Sequence, residues 1–291
     1  MIRILGTIFA GLFGLAFGSF LNVCLSRWPV GESIVRPRSH CRDCDHTLAW
    51  FENIPLVSYL RLRGRCRVCF ALIGWRYPAV ELTIGALWAL IAFKSLPAIA
   101  DPSLPIQAAF AVLLGGVAKM ILCWFLVALA ALDAERLWLP DFLTLPGAAL
   151  GLGVTSALEV FSPHFDAAHR PIHVLLLHLG AMAVFAGLLL LTRWIYKLIR
   201  HREGLGLGDA KLMLLLGAWL GPAGTLAAFA VGTFLGVVAA AVLLVFPAAR
   251  RDSSRWATSK LPLGTFLSIG GIISSLWGQS IIAAYLRWAG L

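Results

Sequence analysis

The chain has 291 residues, is 60% hydrophobic and only 13% charged, and carries a net charge of +10. A soluble domain averages about 25% charged residues, so this deficit excludes a soluble enzyme and puts most of the chain in lipid. A basic balance can serve nucleic acid, but these cations cluster between apolar runs, which is the pattern of membrane topology; no nucleic-acid partner is expected.

Apolar spans are predicted over residues 4–26, 79–97, 106–132, 142–160, 172–198, 209–220, 223–247 and 262–286. The expected fold class is therefore an all-α polytopic membrane protein of about eight transmembrane helices, with a small cytoplasmic zinc-binding insertion built on four cysteines. The first run is a full-length span without a standout small-residue cleavage site, so it is not read as a cleavable signal. Alternation from an external N-terminus puts 27–78, 133–141, 199–208 and 248–261 on one face. These segments hold Arg27, Arg36, Arg38, Arg42, Arg61, Arg63, Arg65, Arg67 and Arg76 in the first, Arg136 in the second, and Arg200, Arg202, Arg250, Arg251, Arg255 and Lys260 in the others, with Arg193, Lys197 and Lys211 close beside them. The positive-inside rule makes that face cytoplasmic. The opposite loops, near 98–105, 161–171 and Gly221-Pro222, are short and poor in cations. The span 209–220 is short for a bilayer, which points to tilt or partial re-entry. Trp28, Trp50, Trp75, Trp138, Trp194, Trp256 and Trp288 fall near span ends or in polar segments, as interfacial belts do. Lys119 lies mid-span, too far along its own helix to pair with Asp133.

Three parts are expected: a first transmembrane helix over 1–26, a cytoplasmic zinc-binding domain over 27–78, and a membrane-embedded domain over 79–291. The polar segment is too small for an ordinary core and needs a staple. Cys41-Arg-Asp-Cys44 and Cys66-Arg-Val-Cys69 provide two CxxC knuckles, with 21 residues between Cys44 and Cys66. Two such pairs complete a tetrahedral sulfur set, and four thiolates with no open position describe a structural zinc site. An iron centre, or a metal-free or disulfide state, remains the alternative. Gly64 is placed to supply the turn before the second knuckle. His40 and His46 lie close by but are unnecessary as ligands. Cys24 and Cys123 read as small buried hydrophobes.

With only 14 acidic residues in the chain, a carboxylate at a span edge is a functional candidate. Asp133 ends a long apolar run and precedes Trp138-Leu-Pro140-Asp141. Asp209 follows Gly204-Leu-Gly206-Leu-Gly208 at the start of another span, where glycines permit close approach. Both fall on the predicted cytoplasmic face. Such a pair can serve as base toward water and as acid toward a carbonyl. The residue-by-residue alternatives are a helix-end charge for Asp133 and an N-cap for Asp209. Asp141 is read as capping the next span, and Glu135 and Glu203 as solvated.

Taken together, these motifs resemble those of the bacterial type IV prepilin peptidases, the prepilin leader peptidase/N-methyltransferases, over nearly the whole chain. Gly18-Ser-Phe-Leu-Asn22-Val, Asn53-Ile-Pro-Leu-Val-Ser58, Leu62-Arg-Gly-Arg-Cys66 and Tyr77-Pro-Ala-Val-Glu81 match in order, as do the two aspartate motifs. The resemblance implies a GxGD-type aspartyl endopeptidase of the bacterial inner membrane, with 79–291 as its membrane-embedded aspartyl peptidase domain. It implies Asp133 and Asp209 as the catalytic dyad, Gly206 and Gly208 as its active-site loop, and Cys41, Cys44, Cys66 and Cys69 as zinc ligands. Prepilins or pseudopilins are the implied substrates and S-adenosylmethionine the implied methyl donor. Arg42, and the stretch Leu261-Pro-Leu-Gly-Thr-Phe266, depart from the family pattern, and neither is expected to touch the dyad. A transporter with aspartates on an ion path, a purely structural or assembly role, and a presenilin-like protease are the competing readings. The clustering of acids at one face and the cysteine module favour the prepilin class.

Overall fold

The computed structural model describes residues 1–101, 103–160, 171–202, 206–245 and 261–290. The basic cluster Arg250, Arg251, Arg255 and Lys260, together with Trp256, Glu203 and Gly204, lies outside them. In lipid every backbone N–H and C=O must be satisfied within its own segment, so long apolar runs fold as helices. The helices are α1 (Ile2–Arg27), α2 (Val57–Arg61), α3 (Arg76–Ile99), α4 (Ile106–Arg136), α5 (Asp141–Val160), α6 (Pro171–Arg200), α7 (Leu207–Val245) and α8 (Leu263–Ala289). Among the described residues, seven of them are long and apolar enough to cross a membrane.

The difference from eight predicted spans has a local cause. Helix α7 takes in 209–220 and, as far as Val245, the run predicted over 223–247, but Gly221 breaks it with φ 64° and ψ −173°. That conformation is open to glycine and strained for other residues. Pro222 follows and has no N–H to continue the ladder. The first arm, residues 207–220, is about 21 Å long at 1.5 Å per residue, short of the roughly 30 Å hydrocarbon core. The freed carbonyls find side-chain donors. The Thr225 hydroxyl donates to Gly221 O (2.6 Å) and His178 Nδ1 donates to Ala218 O (2.8 Å).

By internal contacts the chain forms two units, Met1–Ala128 and Leu129–Leu291. In the first, α1 lies along α3 with backbones in near contact. A Cβ on Gly18 would sit 2.7 Å from Glu81 Cα, and one on Gly14 would sit 2.9 Å from Gly85 Cα. Small residues at this spacing take the place of a hydrophobic drive, which lipid does not supply. Asn22 Nδ2 donates to Tyr77 O (2.9 Å) across the same seam. The buried Glu81 carboxylate accepts the Leu56 N–H (2.8 Å), which ties the start of α2 to the membrane helices. Arg27, counted by sequence among the topogenic arginines, is buried. It clamps the following loop by donating to Ser33 O and Pro37 O, each at 2.7 Å.

In the second unit α7 is central, packed by α5, α6 and α8. Leu212, Met213, Leu215, Leu216, Ala218 and Leu267 are fully buried there. Val184, Leu188, Leu191, Phe234 and Val237 are exposed large apolar side chains, as a lipid-facing surface requires.

Candidate functional site

Helix α4 runs past the predicted span end to Arg136, so Asp133 occupies its last turn rather than its end. The helix stops where Leu137 takes a positive φ of 52° and donates its N–H to Asp133 O (2.8 Å). Pro140 then opens α5, whose Leu143 and Thr144 N–H groups donate to Pro140 O. Asp209 lies in the first turn of α7, and its carboxylate takes the Gly206 N–H. Both aspartates are buried, at 5% and 8% exposure. They are close enough for the charge of Asp133 to act on Asp209, although 75 residues of chain separate them.

Leu139 explains the convergence. A Cβ on Gly208 would lie 2.8 Å from Leu139 Cβ, and a Cβ on Gly264 would lie 2.8 Å from Leu139 Cδ1. The glycine before Asp209 and the glycine opening α8 thus close on one leucine from the turn after Asp133. Glycine is needed at both positions because any side chain would occupy the space Leu139 fills. Gly206 has a related role: a Cβ there would be 3.3 Å from Asp209 Oδ2.

The stretch Leu261–Phe266, expected to stand clear of the aspartates, does not. Asp133 Oδ2 accepts the Thr265 N–H at 2.7 Å and the Thr265 hydroxyl at 3.2 Å, and the Gly264 N–H also points at this carboxylate. The start of α8 therefore forms one wall of the site. The positive end of its dipole faces the carboxylate, as a helix N-terminus accommodates an anion. Sequence reading missed Leu139, Gly264 and Thr265. A signal was present in Pro262, since proline is favoured where a helix starts. Asp141, expected as a cap, lies in the first turn of α5 and pairs with Lys211 of α7 at 2.5 Å.

The cysteine module sits in the first unit. The two knuckles repeat one backbone design. Cys41 N donates to His46 O and Cys66 N to Ala71 O; Asp45 N donates to Cys41 O and Phe70 N to Cys66 O. The residue after each second cysteine has positive φ, 54° at Asp45 and 58° at Phe70. Gly64 makes the turn before the second knuckle at φ 66°. All six cysteines are free, and the Sγ atoms of Cys41, Cys44, Cys66 and Cys69 lie within 4.8 Å of one another. Two of the contacts measure 3.7 and 3.9 Å. Four thiolates at about 2.3 Å from a tetrahedral ion stand about 3.8 Å apart, so the donor set fits a metal ion. The N–H groups of Cys69 and Val68 point at the Cys66 sulfur and bring its thiol down to about 6, toward the thiolate form that binds metal. His46 is not needed as a ligand; its Nε2 meets Glu52 Oε2 at 3.2 Å. Cys24 and Cys123 are buried.

A polytopic helical protein with two buried aspartates at span ends and a separate four-thiol module is thus defined by its own geometry. Comparison with known proteins gives the family. The Bacterial Peptidase A24 N-terminal domain matches residues 12–95 and the Type IV leader peptidase family matches residues 120–241. The chain is 35% identical to the prepilin leader peptidase/N-methyltransferase of Aeromonas hydrophila, over 94% of this chain and 92% of the relative. The proteins of the same name from Stutzerimonas stutzeri and Klebsiella pneumoniae are 32% and 39% identical, covering 96% and 73% of this chain and 93% and 84% of theirs. No solved structure matches. The chain belongs to the type IV leader peptidase family.

Proposed function

We propose that this chain removes the leader peptide from type IV prepilins or pseudopilins with Asp133 and Asp209, and then N-methylates the new N-terminus using S-adenosylmethionine. The observation that carries the peptidase reading is the convergence of these two buried carboxylates around Leu139, with the start of α8 closed over Asp133. Near-full-length similarity to proteins named for both activities supports the pair of reactions.

One carboxylate takes a proton from the attacking water while the other, protonated, polarises the scissile carbonyl. The Thr265 and Gly264 donors hold Asp133 in place, and Gly206 and Gly208 let the Asp209 loop approach without a side chain intervening. The protein sits in the bacterial inner membrane. Its Arg-rich segments, the cysteine module and the dyad face the cytoplasm, on the strength of the positive-inside rule. A prepilin would lie with its apolar helix in the bilayer and its basic leader in water, so that the junction reaches the depth of the aspartates. Residues 27–78 act as a zinc-binding domain and 79–291 as the peptidase. Zinc on Cys41, Cys44, Cys66 and Cys69 is structural: four thiolates leave no position for water.

The test is to incubate the purified protein with a prepilin, with and without S-adenosylmethionine, and read product masses. Leader loss in both, with one further methyl mass when the donor is present, is the expected result. Asp133→Asn and Asp209→Asn should each abolish leader loss while the protein stays in the membrane. Full cleavage by either variant overturns the dyad.

A further inference from the structure

Peptide cleavage leaves one cavity of the cysteine module without a role. It encloses about 440 Å³ and is lined chiefly by Trp50, Phe51, Glu52, Ser58, Arg61 and Arg67. That volume is in the range of small-molecule sites, about 300–1,000 Å³. Five of these residues lie on the chain between the two knuckles, and Arg67 lies inside the second.

Glu52 is the unusual member. Its side chain is 2% exposed. One oxygen, Oε2, accepts the Ala49 N–H at 2.8 Å and meets His46 Nε2 at 3.2 Å. The Ala49 N–H, aided by His46 and against the opposing effect of burial, holds the carboxyl below the usual range, so it is ionised at neutral pH. The other oxygen, Oε1, is buried with no hydrogen-bond partner. A buried acceptor left unsatisfied is rare in native proteins and points to a missing donor. The other walls of the cavity add two further kinds of group. Trp50 presents an indole that is 77% exposed. Arg61 and Arg67 bring guanidinium groups, with Arg67 lying 5.3 Å from the Phe51 ring centroid.

These groups ask for one ligand with three parts: hydroxyls for a carboxylate, a flat ring for an indole, and an anion for a guanidinium. A basic leader peptide has no use for the arginines, and a phosphate is repelled by Glu52. A nucleoside joined to an amino acid has all three. A ribose diol on an acidic side chain is a recurrent form of nucleoside recognition.

We propose that this cavity binds the methyl donor, S-adenosylmethionine, with its ribose on Glu52, its adenine against Trp50 and its amino-acid carboxylate on Arg61 or Arg67. The proposal rests on the N-methylation reading above and assigns its cofactor site. In the reaction served, the neutral N-terminal amine of the cleaved substrate attacks the methyl carbon. The N–C bond forms as the S–C bond breaks, its electron pair returns to sulfur to leave a thioether, and the methylated ammonium releases a proton to water.

The test is titration calorimetry of the purified, metal-loaded full chain with S-adenosylmethionine, for wild type, Trp50→Ala and Arg61→Ala. Neither substitution touches a cysteine or Glu52's hydrogen bonds. Each should weaken donor binding at least tenfold and reduce methyl addition, with bound metal and leader cleavage unchanged. Wild-type donor affinity in both variants, with methyl addition intact, overturns the cavity assignment but leaves N-methylation standing. A wild-type protein that removes leaders yet neither binds the donor nor adds a methyl group overturns the methylation reading, and this assignment with it.

Discussion

Thr265 converts Asp133 from a charge at a helix end into a carboxylate held in one orientation. Its N–H and hydroxyl both reach Oδ2, and the hydroxyl also reaches Ala130 O at 3.1 Å. Thr265→Val keeps the backbone donor and removes the hydroxyl. A hydrogen bond to a charged group contributes about 1.5–3 kcal/mol, so turnover should fall about tenfold or more, read as the rate of leader loss by mass spectrometry. Gly264→Val should be more severe, at least a hundredfold, because a Cβ there meets Leu139 Cδ1 at 2.8 Å and Asp133 Oδ2 at 3.0 Å. A Gly264→Val protein with wild-type turnover would remove α8 from the site. The two aspartates were legible in the sequence because carboxylates are scarce and costly near lipid. Thr265 was not, because its main contribution is a backbone N–H that any non-proline residue carries, 132 residues away from the group it serves.

The break in α7 separates two arms with different surroundings. The arm carrying Asp209 is largely buried among its neighbours, from Ala210 to Trp219, while Phe234, Val237 and Val245 of the other arm are exposed. Gly221→Ala forces a Cβ into a conformation that costs on the order of 1–3 kcal/mol. It should lower the thermal unfolding midpoint in detergent, and an unchanged midpoint would show that the break relaxes without strain. The position of the break was readable from Gly221-Pro222, and so was the shortness of the first arm. The donors that make it tolerable, His178 and Thr225, were not: a carbonyl freed by a kink leaves no mark on composition. The close approach of Gly14 and Gly18 to the backbone at Gly85 and Glu81 could come only from the structure.

At the scale of the molecule, the class of fold and the four-cysteine cluster were both written in the sequence, in charge scarcity and cysteine spacing. The division into Met1–Ala128 and Leu129–Leu291 was not, because it falls inside the continuous helix α4, where no loop or composition shift marks it. The proposed topology has a direct test. Cys69 is exposed, so once metal is chelated an impermeant maleimide should label it in inverted inner-membrane vesicles and leave it unlabelled in intact spheroplasts. Labelling in spheroplasts would reverse the orientation.

The paired knuckles carry a consequence best put in polymer language. An ion on Cys41, Cys44, Cys66 and Cys69 is a cross-link between two points on one strand. By the relation used for covalent cross-links, pinning a loop of this length removes chain entropy equivalent to about 3 kcal/mol. Trp50, Glu52 and Arg61 ride on the pinned loop, and Arg67 lies in the knuckle that closes it. Chelation should therefore restore much of that loop's freedom and scatter the cavity walls. Donor binding should then be lost on metal removal and return when the ion is restored, a hysteresis-free cycle that calorimetry can follow.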